Sequence, residues 1–283
     1  MKTLLITGIN GFLGSNLAKA FIGEYNIVGL EYSLENLFRL KDYNFKIYST
    51  DQGIPEKLFS DQKVDIIIHT ATIYGRKNEG LEVIANSNLF LPFELLDKAI
   101  DYQCSAFINT DTVLDRFVNE YSLTKRQFQE WLYFRRNDIK VINMKLEHFY
   151  GPEASVSNFI SSMITRLKLN EPSIDLTLGE QQRDFVFIDD VVSAYRTVLK
   201  QINHLKDPYT DFQVSTQNPV TIRYLIETLK ELTGSVSHLN FGAIPYRENE
   251  LMHSDTDNSA LIQLGWRPLY TIEEGLKVTS NNL

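Results

Sequence analysis

Cysteine, basic charge and long apolar runs are all scarce in this sequence of 283 residues. Cys104 is its only cysteine, so no disulfide can form within the chain, and a cytosolic location is the default expectation. The formal net charge of −8 argues against a nucleic-acid-binding surface. No run approaches the roughly 18 apolar residues that a membrane helix needs. The apolar run that ends at Gly8 is too short for a signal peptide.

The first half of the chain alternates short apolar runs with amphipathic stretches. Runs typical of strands cover 2–7, 26–30, 45–48, 64–69, 106–109 and 140–146, and stretches typical of helices cover 15–23, 88–102 and 121–136. We expect Pro92 in the first turn of the second of these helices, where its missing N–H does no harm. The alternation predicts βαβ units, and therefore an α/β fold with a doubly wound parallel sheet.

The alternation of apolar runs with amphipathic stretches becomes less regular after Tyr150-Gly151-Pro152. Helical patterns cover 157–169, 190–200 and 221–232, a short strand covers 184–188, and the chain from 241 is rich in loop residues. With 43% hydrophobic residues the chain suffices for one large domain or two small ones. We predict a first domain of residues 1–150 plus about 180–205, and a smaller interleaved C-terminal lobe of about 151–179 and 206–283.

Three glycines, Gly8, Gly11 and Gly14, follow the first apolar run and open a helix. A tight turn of this kind brings the backbone close to a phosphate and points a helix N-terminus at the anion. The spacing G-x-x-G-x-x-G therefore predicts a site for the pyrophosphate of a dinucleotide. The alternative is an ordinary turn between a strand and a helix.

Two acids follow later apolar runs in this half. Glu31 ends the second run, where a carboxylate can accept hydrogen bonds from the adenosine ribose and favours NAD over NADP. Asp51 follows the third run and can accept a hydrogen bond from the adenine amine. Their alternatives are a solvated charge for Glu31 and a helix N-cap for Asp51.

Tyr121 and Lys125 are four residues apart in a predicted helix and therefore share one face. A lysine ammonium near a phenol stabilises the phenolate, so Lys125 should lower the pKa of Tyr121. Tyr121 could then exchange a proton with a carbonyl or alcohol while hydride moves, and Lys125 could also bond the nicotinamide ribose. Thr110 ends the fifth run, from which its hydroxyl could polarise the substrate carbonyl. The alternatives are a helix-surface pair and a strand-end hydroxyl bonded to the backbone.

These motifs, taken in order, resemble the extended short-chain dehydrogenase/reductases, the NAD-dependent epimerase/dehydratase group that acts on nucleotide sugars. The resemblance covers nearly the whole chain. It rests on Thr7–Gly14, His69–Thr72, Asn88, Thr110, Tyr121 with Lys125, Leu146–Pro152, Arg183–Val186, Asp189-Asp190 and Gly265–Pro268. The family fold is a Rossmann-type sheet with a substrate-binding lobe, which the two predicted domains would form.

The resemblance implies roles for individual residues. The cofactor-binding residues would be Gly8, Asn10, Gly11, Phe12, Leu13, Gly14, Glu31, Asp51, Ala71, Asn88, Tyr121 and Lys125. Thr110, Tyr121 and Lys125 would form the catalytic triad, and Thr112, His148, Arg183 and Arg247 would bind the substrate. For Asn88 the alternative is a structural role. For His148, Arg183 and Arg247 the alternatives are a capped histidine, a structural arginine and a surface arginine. No metal site is expected.

Departures from the family pattern narrow the chemistry. Thr112 stands where sugar-nucleotide 4,6-dehydratases carry a glutamate, which argues against dehydration. The stretch from Thr110 to Tyr121 is shorter than in typical 4-epimerases. The amino-acid sequences around Thr110 and Glu147 are similar to those of 4-ketoreductases of deoxysugar biosynthesis. Such reductases often prefer NADPH, whereas Glu31 favours NAD. Reduction of the C4 ketone of a nucleotide-linked 4-keto-6-deoxyhexose is therefore the predicted activity.

Two other functions compete with this one. A nucleotide-sugar 4-epimerase with retained NAD would use the same residues. A protein that binds the dinucleotide without turnover is disfavoured, since such proteins usually lose the tyrosine or the lysine. The resemblance also implies a homodimer through the helices 88–102 and 121–136. Phe128, Trp131, Leu132 and Phe134 place more apolar surface on the second helix than one core face requires.

Overall fold

A computed structural model describes residues 1–247 and 250–283. Its strands are β1 Thr3–Thr7, β2 Asn26–Glu31, β3 Lys46–Ser49, β4 Ile66–His69, β5 Ala106–Thr112, β6 Lys140–Leu146, β7 His148–Tyr150, β8 Ser173–Leu176, β9 Gln182–Arg183, β10 Phe185–Phe187, β11 Tyr209–Val214, β12 Val220–Thr221 and β13 His238–Phe241. Its helices are α1 Phe12–Ala20, α2 Glu56–Asp61, α3 Leu81–Ala85, α4 Leu91–Asp101, α5 Glu120–Phe134, α6 Phe159–Lys168, α7 Ile188–Gln201, α8 Ile222–Thr233, α9 Ser259–Gln263 and α10 Ile272–Asn281. A π-helical turn, Asn86–Phe90, lies between α3 and α4.

A seven-stranded sheet with the order β11-β6-β5-β4-β1-β2-β3 forms the centre of the fold. The pairs β1–β2, β2–β3, β1–β4 and β4–β5 are parallel, with Thr7 opposite His69. The predicted α/β class is confirmed. The chain adds strands outward from β1 in one direction and then, from β4, in the other. The carboxyl ends of β1 and β4 therefore flank the switch point, where open α/β sheets bind their ligands.

Contacts divide the chain into two compact units, residues 1–145 with 195–212 and residues 146–194 with 213–283. The chain re-enters the first unit at Tyr195, later than the position near 180 expected from the sequence. A buried cluster in the first unit includes Leu5, Val28, Ile67 and Phe107 from the strands and Phe128 from α5. The continuous apolar runs of the sequence are the strands of this core.

The helix predicted from 88 begins earlier than expected. The helical segment starts at Leu81 and passes through the π-helical turn before Pro92, which occupies the first turn of α4. Proline cannot donate to a carbonyl one turn back, and a π-helical turn is one way in which a helix accommodates such a break. The sequence signal of Pro92 marked the start of α4, not the start of the helical segment.

The described chain beyond 241 is rich in loops, as predicted, but it also contains α9 and α10, which the sequence analysis missed. Thr271 and Glu274 form a capping box at the start of α10. Trp266 is 2% exposed, and its indole N–H donates to the Asp190 carbonyl and to Ser193 Oγ. The Asp190 carboxylate accepts from the backbone N–H groups at 269 and 270. These contacts hold the C-terminal segment against α7 within the second unit. Among the residues described, no helix is long and apolar enough to cross a membrane.

Candidate active site

The glycine loop connects β1 to α1 in a turn that admits no larger side chains. Gly8 has φ +61°, and a Cβ there would lie 2.9 Å from the Ala71 Cα. A Cβ on Gly14 would lie 2.2 Å from the Gly8 carbonyl oxygen. Gly11 begins α1 and has no side-chain cap, and the N-terminal end of the helix dipole lies at this loop. This close backbone turn at an uncapped helix start fits the pyrophosphate of a dinucleotide.

Glu31 lies at the end of β2 and reaches the glycine loop. Its Oε2 accepts from the Asn10 N–H at 2.9 Å, and its Oε1 accepts from the Tyr32 N–H at 3.1 Å. The Arg39 guanidinium donates to the Asn10 carbonyl at 3.1 Å, so a cation that the sequence analysis missed lies at the same loop. Asp51 is exposed and accepts from Ser49 Oγ at 2.9 Å, and it does not cap a helix.

The end of β4 is tied to the end of β1. Thr7 Oγ1 accepts from the N–H groups of Thr70 and Ala71, both at 3.1 Å, and lies 2.8 Å from His69 Nδ1. Since the hydroxyl already accepts twice, it donates its proton to Nδ1, and His69 carries its own proton on Nε2. Burial, aided by the charge of Lys125, holds the pKa of His69 well below its ordinary value. Ala71 is thereby fixed beside Gly8.

Asn88, predicted to bind the cofactor, is 2% exposed, and its amide is fully engaged within the protein. Its Oδ1 accepts from the Ile73 N–H at 2.9 Å and from Thr72 Oγ1 at 3.1 Å. Its Nδ2 donates to the Ile73 carbonyl at 2.9 Å and to Thr124 Oγ1 at 3.1 Å. Asn88 therefore joins the loop after β4 to α5 through hydrogen bonds.

Thr110 and Asp111 lie near the end of β5 with different partners. Thr110 Oγ1 lies 2.7 Å from the hydroxyl of Tyr195, which is fully buried. Asp111 is 4% exposed and accepts from Asn143 Nδ2 and from the Thr112 N–H, both at 2.8 Å. Burial raises the pKa of Asp111, against the effect of Lys125 and these hydrogen bonds.

Tyr121 and Lys125 lie in the first two turns of α5 and are 9% and 3% exposed. Asn119 begins the helix with a capping box that pairs it with Ser122, so the position of Tyr121 is fixed by the local sequence. Burial lowers the pKa of Lys125 to about 8, although Asp111 acts in the opposite direction. Lys125 therefore carries its positive charge at neutral pH.

The expectation that Lys125 lowers the pKa of Tyr121 does not match the side chains around the phenol. Burial raises that pKa well above the ordinary value, and Tyr74 and Asp111 act in the same direction. A hydrogen bond with Thr112 and the charge of Arg76 oppose this rise. Desolvation of a charged phenolate thus outweighs the stabilisation that the sequence analysis attributed to the helix partner alone.

Tyr74 is a site residue that the sequence analysis missed. Its ring centre lies 4.8 Å from that of Tyr121, and the Arg76 guanidinium lies 4.6 Å from the Tyr74 ring centre. An aromatic residue after a strand end has no distinctive sequence pattern, which explains the omission.

The candidate substrate residues other than Thr112 belong to the second unit. His148 is exposed, and its Nδ1 lies 2.9 Å from Glu147 Oε2. Burial opposes ionisation of Glu147, but hydrogen bonds from His148 and Ser254 outweigh it and lower its pKa. Arg183 pairs with Glu250 at 2.5 Å, while the neighbouring Asp184 accepts from Thr216 and Gln217. Arg247 is exposed.

The chain is similar to known proteins over most of its length. The model of the NAD dependent epimerase/dehydratase family matches residues 4–214. This protein belongs to that family. It is an oxidoreductase of the extended short-chain dehydrogenase/reductase type and uses a nicotinamide cofactor, which the glycine loop fits.

Individual relatives cover almost the whole chain. The chain is 34% identical to CDP-abequose synthase of Salmonella typhimurium over 97% of its length and 96% of that protein. It is 32% identical to CDP-abequose synthase of Salmonella muenchen over 98% and 96%. It is also similar to the crystal structure of UDP-glucose 4-epimerase with UDP-glucose from Thermotoga maritima, with a TM-score of 0.84 and 25% identity over 99% and 98% of the two chains.

Proposed function

We propose that the protein reduces the C4 ketone of a nucleotide-linked 4-keto-6-deoxyhexose in deoxysugar biosynthesis. The observation that carries this proposal is the likeness, over nearly the full length of both chains, to proteins named CDP-abequose synthase. The site supports it, because Tyr121, Lys125 and Thr110 supply a proton donor, a positive charge and a hydroxyl. Thr112 stands where dehydration would call for an acid, which favours reduction over elimination.

Tyr121 is proposed as the proton donor to the ketone oxygen. A bound nicotinamide supplies the hydride that reaches C4. The phenol of Tyr121 is protonated at neutral pH, because burial keeps its pKa high, and it can give its proton to the oxygen as negative charge develops there. Lys125 is proposed to stabilise the resulting phenolate with its charge and to bond the nicotinamide ribose.

Thr110 is proposed to orient the ketone through its bond to Tyr195. A hydroxyl has one proton and two lone pairs, and the 2.7 Å bond leaves open which residue donates. If Tyr195 donates, the Thr110 proton remains available for the ketone oxygen. The full burial of Tyr195 means that Thr110 is the partner through which its hydroxyl is satisfied.

The cofactor preference depends on Glu31 and Arg39. Glu31 suits the ribose hydroxyls of NADH, while Arg39, held on the Asn10 carbonyl, suits the 2′-phosphate of NADPH. We propose that these two side chains set the ratio of the two cofactors, with Asp51 at the adenine and Ala71 beside the nicotinamide.

The second unit is proposed to bind the nucleotide sugar. Arg247 is exposed, and its guanidinium suits a diphosphate. His148 is also exposed and is proposed to bind the substrate as well. Arg183 has Glu250 as its ion-pair partner, so we assign it the positioning of that segment. Thr112 contributes a hydroxyl from the end of β5.

A nucleotide-sugar 4-epimerase is the second candidate, and the likeness to the UDP-glucose 4-epimerase structure favours it. It would withdraw and return hydride with the same tyrosine and lysine. The purified protein would then retain NAD and need no added cofactor. A reductase consumes one reduced cofactor for each ketone.

We also propose a homodimer and a cytoplasmic location. Phe90, Trp131 and Phe134 are 60%, 52% and 71% exposed around α4 and α5. Phe128 and Leu132, which the sequence analysis counted with this surface, are instead fully buried in the core. The exposed aromatic surface is still more than a solvated helix face requires. The location is supported by Cys104, a free and buried thiol.

The test is consumption of reduced cofactor with CDP-, dTDP-, GDP- and UDP-linked 4-keto-6-deoxyhexoses, each offered with NADH and with NADPH. We expect stoichiometric loss of the reduced cofactor with one sugar nucleotide, and the CDP-linked one is the first candidate. Tyr121→Phe should lower turnover by about 10²–10⁴-fold without loss of folding. Tyr133→Phe, at an exposed tyrosine of the same helix, is the matched control. No loss with any sugar, together with bound NAD in the denatured protein, would favour the epimerase.

A further inference from the structure

Tyr121 has a neighbour from outside its own helix. The ring of Tyr74, in the loop after β4, lies 4.8 Å from the Tyr121 ring with an angle of 41° between the two planes. Aromatic pairs at this separation are in direct contact. The guanidinium of Arg76 lies 4.6 Å from the Tyr74 ring centre, within the range of a cation–π interaction. Arg76, Tyr74 and Tyr121 therefore form a continuous series of contacts within the first unit.

The loop that carries Tyr74 and Arg76 is held in place at several points. Asn88 binds both the N–H and the carbonyl of Ile73, the residue before Tyr74. Gly75 has φ +72°, a left-handed conformation that turns the chain between Tyr74 and Arg76. Tyr74 is 39% exposed, so part of its ring is open to solvent. Asn88 thus holds the backbone of this loop, while one part of the Tyr74 ring stays accessible to solvent.

We infer that Tyr74 and Arg76 are positioning residues for the proton transfer, Tyr74 by holding the Tyr121 ring and Arg76 by supplying positive charge that favours the ionised phenol. This inference rests on the proposed role of Tyr121. It assigns the charge that assists the phenolate to two sources, Lys125 on the helix and Arg76 on the loop.

The charges around Tyr121 support this assignment. Burial raises the pKa of Tyr121, Tyr74 and Asp111 add to the rise, and Thr112 and Arg76 oppose it. Tyr195 belongs to the same cluster, since Tyr74 and Asp111 both raise its pKa. Burial lowers the pKa of Lys125 to about 8, against the effect of Asp111.

The sign of the effect follows from the reverse reaction. Oxidation of the alcohol needs the phenolate, so its rate rises with pH below the pKa of Tyr121. Removing the Arg76 charge raises that pKa further, so this rising limb should move to higher pH. A nearby charge commonly shifts a pKa by about one unit or more, so the rate at a fixed lower pH should fall about tenfold.

The experiment is the pH profile of kcat/KM for oxidation of the CDP-linked 6-deoxyhexose formed in the forward assay. Arg76→Gln should shift the profile upward by about one pH unit, and Arg76→Lys should largely restore it. Tyr74→Leu should lower kcat/KM across the profile, because it removes the ring that holds Tyr121, but without the upward shift of Arg76→Gln, since Tyr74 itself adds to the rise of the Tyr121 pKa. Tyr74→Phe should keep most of the rate, because it keeps both ring contacts. Arg136→Gln is the matched control, since Arg136 lies 4.0 Å from the Tyr133 ring centre.

An unchanged profile in Arg76→Gln and an unchanged rate in Tyr74→Leu, with an inactive Tyr121→Phe, would overturn this inference and leave the proposed function intact. A rise in KM for the sugar nucleotide without a shift of the profile would also overturn it, because Arg76 would then bind substrate. Full activity of Tyr121→Phe would instead remove the proposed mechanism itself. Melting temperatures of all variants separate these outcomes from loss of folding.

Discussion

At the scale of single residues, Tyr121 and Lys125 combine a local spacing with a setting built from distant parts of the chain. The two residues lie four apart on one helix, and the fold only has to form that helix. The contacts that tune them are not local. Tyr74, Asp111 and Tyr195 come from three other elements, and no pattern of spacing reveals which of them meet the phenol. Burial likewise depends on the whole core, which is why the direction of the Tyr121 pKa shift was missed.

Asp111 gives a pH prediction. Its carboxylate opposes the lowering of the Lys125 pKa, which lies at about 8. In Asp111→Asn that support is lost, the pKa of Lys125 falls further, and Lys125 loses its charge at lower pH. We expect the decline of ketone-reduction activity with rising pH to begin about one unit lower than in the parent protein. Rates measured near pH 6 should change less, because Lys125 is still protonated there.

Asp115→Asn is the control for this change. Asp115 is an exposed acid on the same connection between β5 and α5, where it accepts from the Phe117 N–H. Its profile should match that of the parent protein. An unmoved profile in Asp111→Asn would mean that Lys125 does not set the alkaline limit of activity.

At the scale of elements, strands were found where apolar runs are continuous, and helices were missed where the local signal was mixed. α10 contains Gly275 in its middle, which lowers helix propensity. A Cβ there would lie 2.1 Å from the Tyr150 hydroxyl, so packing, not propensity, decides the residue. The capping box of Thr271 and Glu274 was a readable signal of this helix. The sequence analysis also missed β11. We attribute this omission to the position of the strand at the edge of the sheet.

The π-helical turn supplies an element-scale prediction. Asn88→Ala would leave the Ile73 N–H and carbonyl without their partner and would release the loop from Thr124. Each buried group left unpaired costs about 1–3 kcal/mol, so we expect a clear drop in melting temperature and a lower kcat. Asn86→Ala, at an exposed position of the same turn, is the control. Equal melting temperatures for the two variants would contradict the positioning role of Asn88.

At the scale of the whole molecule, the parallel α/β sheet follows from the alternation of strands and helices, but the division of the chain does not. The sequence placed a boundary near residue 150 because the rhythm changes there, and contacts place it at 145. The later crossings fall inside α7 and β11, where local sequence continues unchanged. A boundary inside an element leaves no compositional trace.

The proposed dimer is tested at this scale. Trp131→Glu places a charge in the exposed aromatic surface of Phe90, Trp131 and Phe134, which packs on the half-buried Phe93, and should yield a monomer by light scattering at micromolar concentration. Val236→Glu changes an equally apolar residue, 83% exposed, in the second unit and should leave the dimer intact. A parent protein that is already monomeric at that concentration would remove the proposal.

The placement of the two tryptophans has an optical consequence. Trp131 belongs to the first unit and is 52% exposed, whereas Trp266 belongs to the second unit and is 2% exposed. Their fluorescence should therefore differ in emission wavelength. Trp131 should emit at longer wavelength and be quenched by acrylamide, and Trp266 should emit at shorter wavelength and be protected from the quencher. Each half of the protein carries its own intrinsic reporter. Single Trp→Phe variants would then show, without any added dye, which half loosens first on denaturation.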